Sequence, residues 1–332
     1  MRGYVSQYLA LCSWFETMKI LCFWLVNYVA ESYEQIHYLP ALRDMGHDAR
    51  IFPQESAYDS KLLDIIDLWK PDLAFFVPHK TGNVRPETYK YISEHTKTTT
   101  FCYFGDDEKE FDIGEPWDSK NLCGNFNYIG TNHEPALKWY KKLGYENTIY
   151  TQYGAYDGFC QKFKIKKDIL TSFVGSIKMV RVHFLNKLAY LGGKVQVFGN
   201  GWAAGDFSSE RMLNADEYIT VINSSKINLD LNKDETNYGI KCQQIKGRDF
   251  EVPMTGGFLL CEHFKELGEY YKLGKEIETF KSVEECKSKI DYYLKHEDKR
   301  DKIAEAGRRR ALKDHTYKKR FKTLLSKIKL KK

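Results

Sequence analysis

Residues 247–260 read GRDFEVPMTGGFLL, and the reading of the whole chain turns on them. They spell a short helix, a tight glycine turn and a buried strand. Arg248 and Glu251 stand three apart, so on a helix they share one face. Gly256 and Gly257 remove Cβ atoms where the backbone must turn sharply or a ligand must come close. Phe258, Leu259 and Leu260 have the unbroken apolar character of a strand covered on both faces. A guanidinium and a carboxylate beside such a turn suit a nucleotide, the first pairing with phosphate and the second taking ribose hydroxyls. A surface Arg–Glu pair beside an ordinary turn fits the same residues, because helix-turn-strand units occur throughout α/β proteins.

Outward from this stretch the same alternation fills the chain. In the first half, strands are expected at 20–26, 49–52, 73–77, 98–104 and 147–152, with helices at 31–45, 62–69, 86–93 and 131–143. Strands alternating with helices imply right-handed βαβ units and a parallel sheet. In such sheets the ligand crevice lies beyond the carboxyl ends of the strands. That rule selects the loops 27–32, 78–85 (PHKTGNVR) and 105–108 (GDDE). Asp106 with Asp107 offers a general base or a hydroxyl-binding pair, or else a cap for the next segment. His79 and Lys80 are weaker candidates, and His133 reads as structural.

Residues 153–167 lack periodicity and read as the crossover between two domains. A second α/β pattern follows. A strand at 170–174 ends in Gly175-Ser176, with Lys178 and Arg181 just beyond and a helix running to Leu191. Backbone N–H groups at such a strand-to-helix turn make an anion site. The next strand, 195–198, is closed by Gly199-Asn200-Gly201-Trp202. There the backbone can approach a ligand and Trp202 can cover a flat group, or the tryptophan simply packs in the core. A helix at 218–224, a strand at 227–231, a polar loop at 232–244 and a last strand at 275–280 complete the pattern. Ser282 and Glu285 form a capping box. Tyr317, Phe321, Leu324, Leu325 and Ile328 mark a final amphipathic helix.

Composition agrees with this layout. A chain of 332 residues is long for one core and fits two domains of roughly 150 residues. The net charge of +6 is a mild excess gathered in the last segment, which reads first as a solvated helix face and second as a contact for an anionic membrane or acidic partner. A general nucleic-acid binder would spread such charge over a face. The eight cysteines are scattered, with no CxxC pair and no histidine cluster, which argues for buried reduced thiols in a cytoplasmic setting and against a zinc site. The apolar run 9–29 is interrupted by Glu16 and Lys19, too broken for a membrane span or a signal peptide. The expected organisation is an extension at 1–17, a first α/β domain at 18–155, a second at 156–313, and a basic helix at 314–332.

The run from Ser225-Lys226-Ile227 through GRDFEVPMTGGFLL, then Gly274-Lys275-Glu276-Ile277 and HEDKRDKIAEAGRRRALKDHTYKKR (296–320), resembles the CgeB-like (spore maturation protein) glycosyltransferases. These are related to glycosyltransferase family 4. The resemblance covers most of the second half and extends loosely to Asp106-Asp107 and 132–152. It implies a GT-B fold, two Rossmann-like domains facing each other across a cleft, with a nucleotide-sugar donor on the second domain and the acceptor meeting it between them. Family 4 enzymes carry two glutamates eight positions apart, and Glu251 occupies the place of the second, which contacts the donor ribose. Gln243 stands where the first would be, a departure that leaves the sugar contact to an amide. Gly175, Ser176, Lys178 and Arg181 match the family's diphosphate site, and Arg248 an arginine typical of the CgeB-like group. The loop after the first strand lacks the family's glycine pair, so no acceptor residue carries over.

The resemblance thus implies a retaining glycosyltransferase that needs no metal and no cofactor beyond its nucleotide-diphosphate sugar, UDP-sugar being favoured. The acceptor, a glycan, protein or small molecule, is not legible. Competing readings are a nucleotide-sugar epimerase or hydrolase of the same fold, a structural protein that kept the fold without activity, and a nucleic-acid binder using the basic tail, whose affinity would fall steeply with salt.

Overall fold

In the computed structural model, residues 17–26, 31–78, 83–202, 213–235, 239 and 241–332 are described. The expectations for 1–16, for His79 and Lys80, and for parts of the loops at 27–32, 78–85 and 232–244 lie outside the described residues. Six parallel strands make the first sheet: β1 Lys19–Trp24, β2 Asp48–Pro53, β3 Leu73–Phe76, β4 Thr99–Phe104, β5 Tyr128–Thr131 and β6 Thr148–Tyr150, in the order β2-β1-β3-β4-β5-β6. The second sheet is also parallel. It contains β7 Ile169–Val174, β8 Gln196–Phe198, β9 Ser225–Asp230, β12 Leu259–Glu262 and β13 Glu278–Phe280, ordered β13-β12-β9-β7-β8, while β10 Lys233–Glu235 and β11 Lys241–Gln243 form a separate antiparallel hairpin.

Alternation along β1 shows how helices come to cover both faces of the first sheet. Ile20, Cys22 and Trp24 face one core cluster and Leu21 and Phe23 the other. All five are 1% exposed or less, as a strand buried on both sides requires. The C-terminal helix Tyr317–Leu325 closes the first of these clusters with Tyr317, Phe321, Leu324 and Leu325. Three cations of the C-terminal segment are engaged within the molecule. Lys318 reaches Asp44 at 2.9 Å, Arg320 Nε donates to the Tyr153 carbonyl at 3.1 Å, and Lys331 Nζ donates to the carbonyls of Ser93, Thr96 and Thr98 at the end of the helix Pro86–His95. Among the described residues no helix is long and apolar enough to cross a membrane. The described cysteines are free and buried.

Several elements differ from the sequence reading, among them the hairpin β10–β11 inside the expected loop 232–244. Residues 128–131 form strand β5 where a helix was expected to begin at 131, and the helix is only Ala136–Lys142. Tyr128, Ile129 and Thr131 favour a strand, interrupted by Gly130, whose missing side chain leaves room for the rings of Phe101 and Tyr103, which a Cβ would meet at 2.5 and 3.0 Å. Packing from β4 therefore holds the glycine in the strand. The longest helix, Glu297–Asp314, was not recognised as one, because charged residues fill most of its surface and Ile303, Ala304, Gly307 and Ala311 alone supply a narrow small-residue seam.

That helix ends at His315, which fastens the crossover. His315 Nε2 faces the Tyr270 carbonyl at 3.0 Å, its Nδ1 accepts from Arg320 at 3.2 Å, and its backbone carbonyl accepts from Ala155 N at 3.0 Å. A ring that donates through Nε2 and accepts through Nδ1 is neutral. Burial, together with Arg320 and Arg310 and against the Tyr270 hydrogen bond, lowers its pKa to about 4. The unfolded chain takes up this proton near the ordinary value of about 6.5, so the folded state binds fewer protons between the two values. The His315 contribution to stability is therefore full above about pH 6.5 and falls by about 3 kcal/mol as pH drops to about 4, opposed in part by Asp107, whose carboxyl is pushed up to about 6. Urea unfolding across that range checks this, and His315→Gln should flatten that part of the profile; an identical slope in the variant would contradict it.

Candidate functional site

The end of β7 and the end of β8 are locked together by backbone. Gly175 N donates to the Phe198 carbonyl at 2.8 Å, Ile177 N to the Asn200 carbonyl at 3.0 Å, and the Trp202 indole to the Gly175 carbonyl at 2.7 Å. Gly199 has φ +131°, and a Cβ there would lie 2.4 Å from the Gly175 oxygen. Its missing side chain serves this backbone approach, not a ligand's. Trp202 is corrected likewise: at 1% exposure and edge-on to Phe173, its ring is core and covers no ligand. Gly199→Ala should cost on the order of 3 kcal/mol, combining left-handed strain with overpacking. Denaturant unfolding measures it, and a loss below about 1 kcal/mol would mean the strand ends can part cheaply.

Two arginines converge on this junction. A Cβ built on Gly175 would sit 3.1 Å from Arg248 Nη1 and 3.4 Å from Arg181 Nη1, so both guanidinium groups reach one point from different helices. Both also lie over the Phe173 ring, at 5.6 and 5.7 Å. Arg181, on the helix Met179–Tyr190, donates to the Ser176 carbonyl at 2.8 Å, while Ser176 is exposed and Lys178 caps the start of that helix. Arg248 opens the helix Arg248–Thr255 and is fixed by Asp230 at the end of β9, Nε at 2.9 Å and Nη2 at 2.7 Å from one oxygen. Arg248 and Glu251 are therefore not a surface pair; each has a buried partner of its own.

Asp230 belongs to a buried acidic group. Asp249 accepts from Asn232 Nδ2 at 2.7 Å and from Lys246 N at 2.9 Å, and burial, then the charge of Asp230, hold its carboxyl far above the ordinary carboxylate range. Of the two carboxylates, Asp230 is the one that faces the Arg248 guanidinium.

Glu251 is 5% exposed and bridges the two halves. Its Oε1 accepts from His37 Nε2 at 2.7 Å and its Oε2 from the Tyr218 hydroxyl at 2.5 Å. His37 lies in the turn of helix Glu34–Tyr38 in the first half, and its Nδ1 accepts from Tyr156 N at 3.1 Å, so the hydrogen sits on Nε2. The glycine turn beyond serves geometry. Gly256 has φ +86° and caps the helix, with Lys162 and Arg308 side chains beside it; a Cβ on Gly257 would lie 2.8 Å from Asn228. Of the two reasons open from the sequence, the sharp turn and close packing hold here, not ligand approach. Gln243 lies on β11, its amide 3.4 Å from the His263 carbonyl.

Across the cleft, Asp106 accepts from Lys109 Nζ at 3.0 Å and from Gln244 Nε2 of the second half at 3.2 Å. Burial raises its pKa, but Lys109, the Gln244 hydrogen bond and Lys246 outweigh this and hold it below the ordinary value. Such a carboxylate is a poor general base, and its contacts make it a link between the halves. Asp107 is buried on Tyr140 at 2.8 Å with its pKa raised by burial to about 6, a structural acid. Among the described residues no group of three or more His, Cys, Asp or Glu could hold a metal ion.

The structure thus gathers Gly175, Ser176, Arg181 and Arg248 at one point with Glu251 one helical turn beyond, and moves Gly199, Trp202, Gly256 and Gly257 into structural roles. Asp230, Asp249, Asn232, Tyr218 and His37 were missed. Asp230 left a signal, an acid closing an otherwise apolar strand, whereas His37 left none.

Comparison with known proteins agrees with this architecture. Residues 181–326, somewhat under half of the chain, match the family model described as glycosyl transferase-like. No curated protein matches the sequence. Among solved structures, a glycosyltransferase from Rickettsia africae superposes with TM-score 0.63 at 12% identity, covering 94% of this chain and 98% of that one. Sucrose-phosphate synthase from Thermosynechococcus elongatus gives 0.63 at 9%, covering 92% and 97%. HepE of Anabaena in complex with UDP-glucose gives 0.61 at 9%, covering 94% and 100%. At these identities the likeness defines the fold, and the fold is GT-B.

Proposed function

We propose that the chain is a retaining glycosyltransferase that moves a sugar from a nucleotide-diphosphate sugar, UDP-sugar first, to an acceptor held between its two halves. The convergence of Arg181 and Arg248 on Gly175, at the carboxyl end of a parallel strand, carries this reading. The UDP-glucose bound to the HepE structure favours uridine as the base. The sequence resemblance in 225–260, 274–277 and 296–320 favours the CgeB-like group.

The chemistry follows from the residues. As the anomeric carbon–oxygen bond to the diphosphate breaks, negative charge grows on the departing phosphate. Arg181, Arg248, Lys178 and the N-terminus of the helix Met179–Tyr190 are placed to stabilise it. A new bond forms from an acceptor hydroxyl oxygen to that carbon, and its proton passes to the leaving phosphate oxygen on the same face. Glu251 orients the nucleotide by accepting from ribose hydroxyls. In this reading the arginines do the work a metal would otherwise do, so added Mg²⁺ should change turnover little.

The test is nucleoside diphosphate release from UDP-, GDP-, ADP- and dTDP-sugars, with and without candidate acceptors. The expected result is release from one donor that accelerates with an acceptor and leaves a glycosylated product. Release independent of acceptor, or interconversion of the donor sugar, would replace transfer by hydrolysis or epimerisation.

A further inference from the structure

The carboxylate assigned to the ribose is already held, and one of the residues that hold it comes from the other half of the chain. One oxygen of Glu251 accepts from His37 Nε2 at 2.7 Å and the other from the Tyr218 hydroxyl at 2.5 Å. Glu251 is 5% exposed and His37 1%, so ribose hydroxyls reach this carboxylate only if a partner moves. Tyr218 belongs to the helix Ala215–Ser224, in the same half as Glu251. His37 is brought by the first half, and it can withdraw without disturbing the second.

The contact is made at two points. Tyr33 and His37 stand four apart on one side, and Gly247 and Glu251 four apart on the other, about one helical turn each. A Cβ on Gly247 would lie 2.7 Å from the Tyr33 ring, and the Tyr33 and His37 rings are 4.4 Å apart. The first half thus lays one turn over the start of the helix that carries Arg248 and Glu251. That turn, Glu34–Tyr38, is π-helical, a wide form found mostly as single turns at functional sites. Tightening it by one residue would rotate His37 off Glu251 and leave the following helix, Leu39–Asp44, in place.

We propose that His37 is a self-inhibitory latch: it holds Glu251 in the nucleotide-free chain, and a nucleoside diphosphate binds by displacing it and placing a ribose hydroxyl on the freed oxygen. The latch rests on the nucleotide-sugar reading and adds to it a competition between His37 and ribose. Apparent affinity is then lowered by the fraction of chains that stay latched, so removing the histidine tightens binding. A histidine that helped to hold the nucleotide would have the opposite effect, and the sign decides between them. Calorimetric titration of the full chain with UDP, GDP and ADP, in the parent and in His37→Ala, reads that sign. The tightest of the three should bind the variant at least about fivefold more tightly than the parent. A second readout needs no substitution and decides alone if the variant does not fold. Tyr156 N donates to His37 Nδ1 at 3.1 Å, so its amide hydrogen exchange in the parent reports on the latch. Saturating nucleotide should speed that exchange at least about tenfold. Unchanged or weaker binding in His37→Ala, or Tyr156 exchange that nucleotide leaves unchanged or slows, would overturn the latch and leave the donor site standing. Binding of none of the three to either chain would instead strike the nucleotide reading, and the latch with it.

Discussion

Arg248→Ala lowers the unfolding free energy by about 3 to 5 kcal/mol and abolishes nucleoside diphosphate binding. Asp230 is fully buried and takes two hydrogen bonds from the Arg248 guanidinium on one oxygen. Removing the cation strands that carboxylate in a place water does not reach, and the cost is its desolvation, not merely the lost contact. The same guanidinium is one of two that meet at Gly175, so the proposed anion site loses one of its cations. The two effects separate in a double variant. Arg248→Ala combined with Asp230→Asn removes the unpaired charge and should recover most of the stability while leaving diphosphate binding absent. A stable double variant that still binds would remove Arg248 from the site.

The second large effect is at Glu251. Glu251→Ala leaves the hydroxyl of Tyr218 and Nε2 of His37 as buried donors without an acceptor, at about 1 to 3 kcal/mol each. It should also raise the dissociation constant for UDP at least tenfold, about 1.4 kcal/mol, by removing the ribose acceptor. Glu251→Gln separates these outcomes. Its amide oxygen can still accept from His37, but its NH₂ gives the Tyr218 hydroxyl hydrogen no acceptor, so the stability loss should be about half that of the alanine variant. The missing charge should cost as much affinity as in the alanine variant. Unchanged UDP affinity in the alanine variant would sink the nucleotide role of Glu251.

The sequence made the fold legible because buried parallel strands leave continuous apolar runs and glycines mark their ends. β1, β3, β4, β7 and β12 were visible in this way, and so was the helix Arg248–Thr255. Strand β5 was hidden because Gly130 interrupts its strand-forming residues, and what holds that glycine in the strand is the packing of the Phe101 and Tyr103 rings over it. The site was legible where side-chain chemistry is fixed by type, as in the cations Arg181 and Arg248. It was not legible for glycines, where a missing Cβ looks the same whether a ligand or another backbone fills the space. Gly199 and Gly256–Gly257 fell on the backbone side of that ambiguity, and Trp202 with them. Contacts between the halves were beyond reach. The hydrogen bond from His37 to Glu251 spans 214 residues of chain, and nothing local to either residue announces it.

Thermal unfolding of the full chain, titrated with UDP, GDP, ADP, CMP and dTDP, each with and without Mg²⁺, tests the donor site most directly. A ligand that binds only the folded state adds about 2.7 kcal/mol at about 100 times its dissociation constant, a shift that is easily read. The predicted result is stabilisation by one nucleoside diphosphate, UDP first, independent of Mg²⁺ and lost in Arg181→Met. No stabilisation by any of them would contradict the nucleotide-sugar site at Gly175, and with it the transferase.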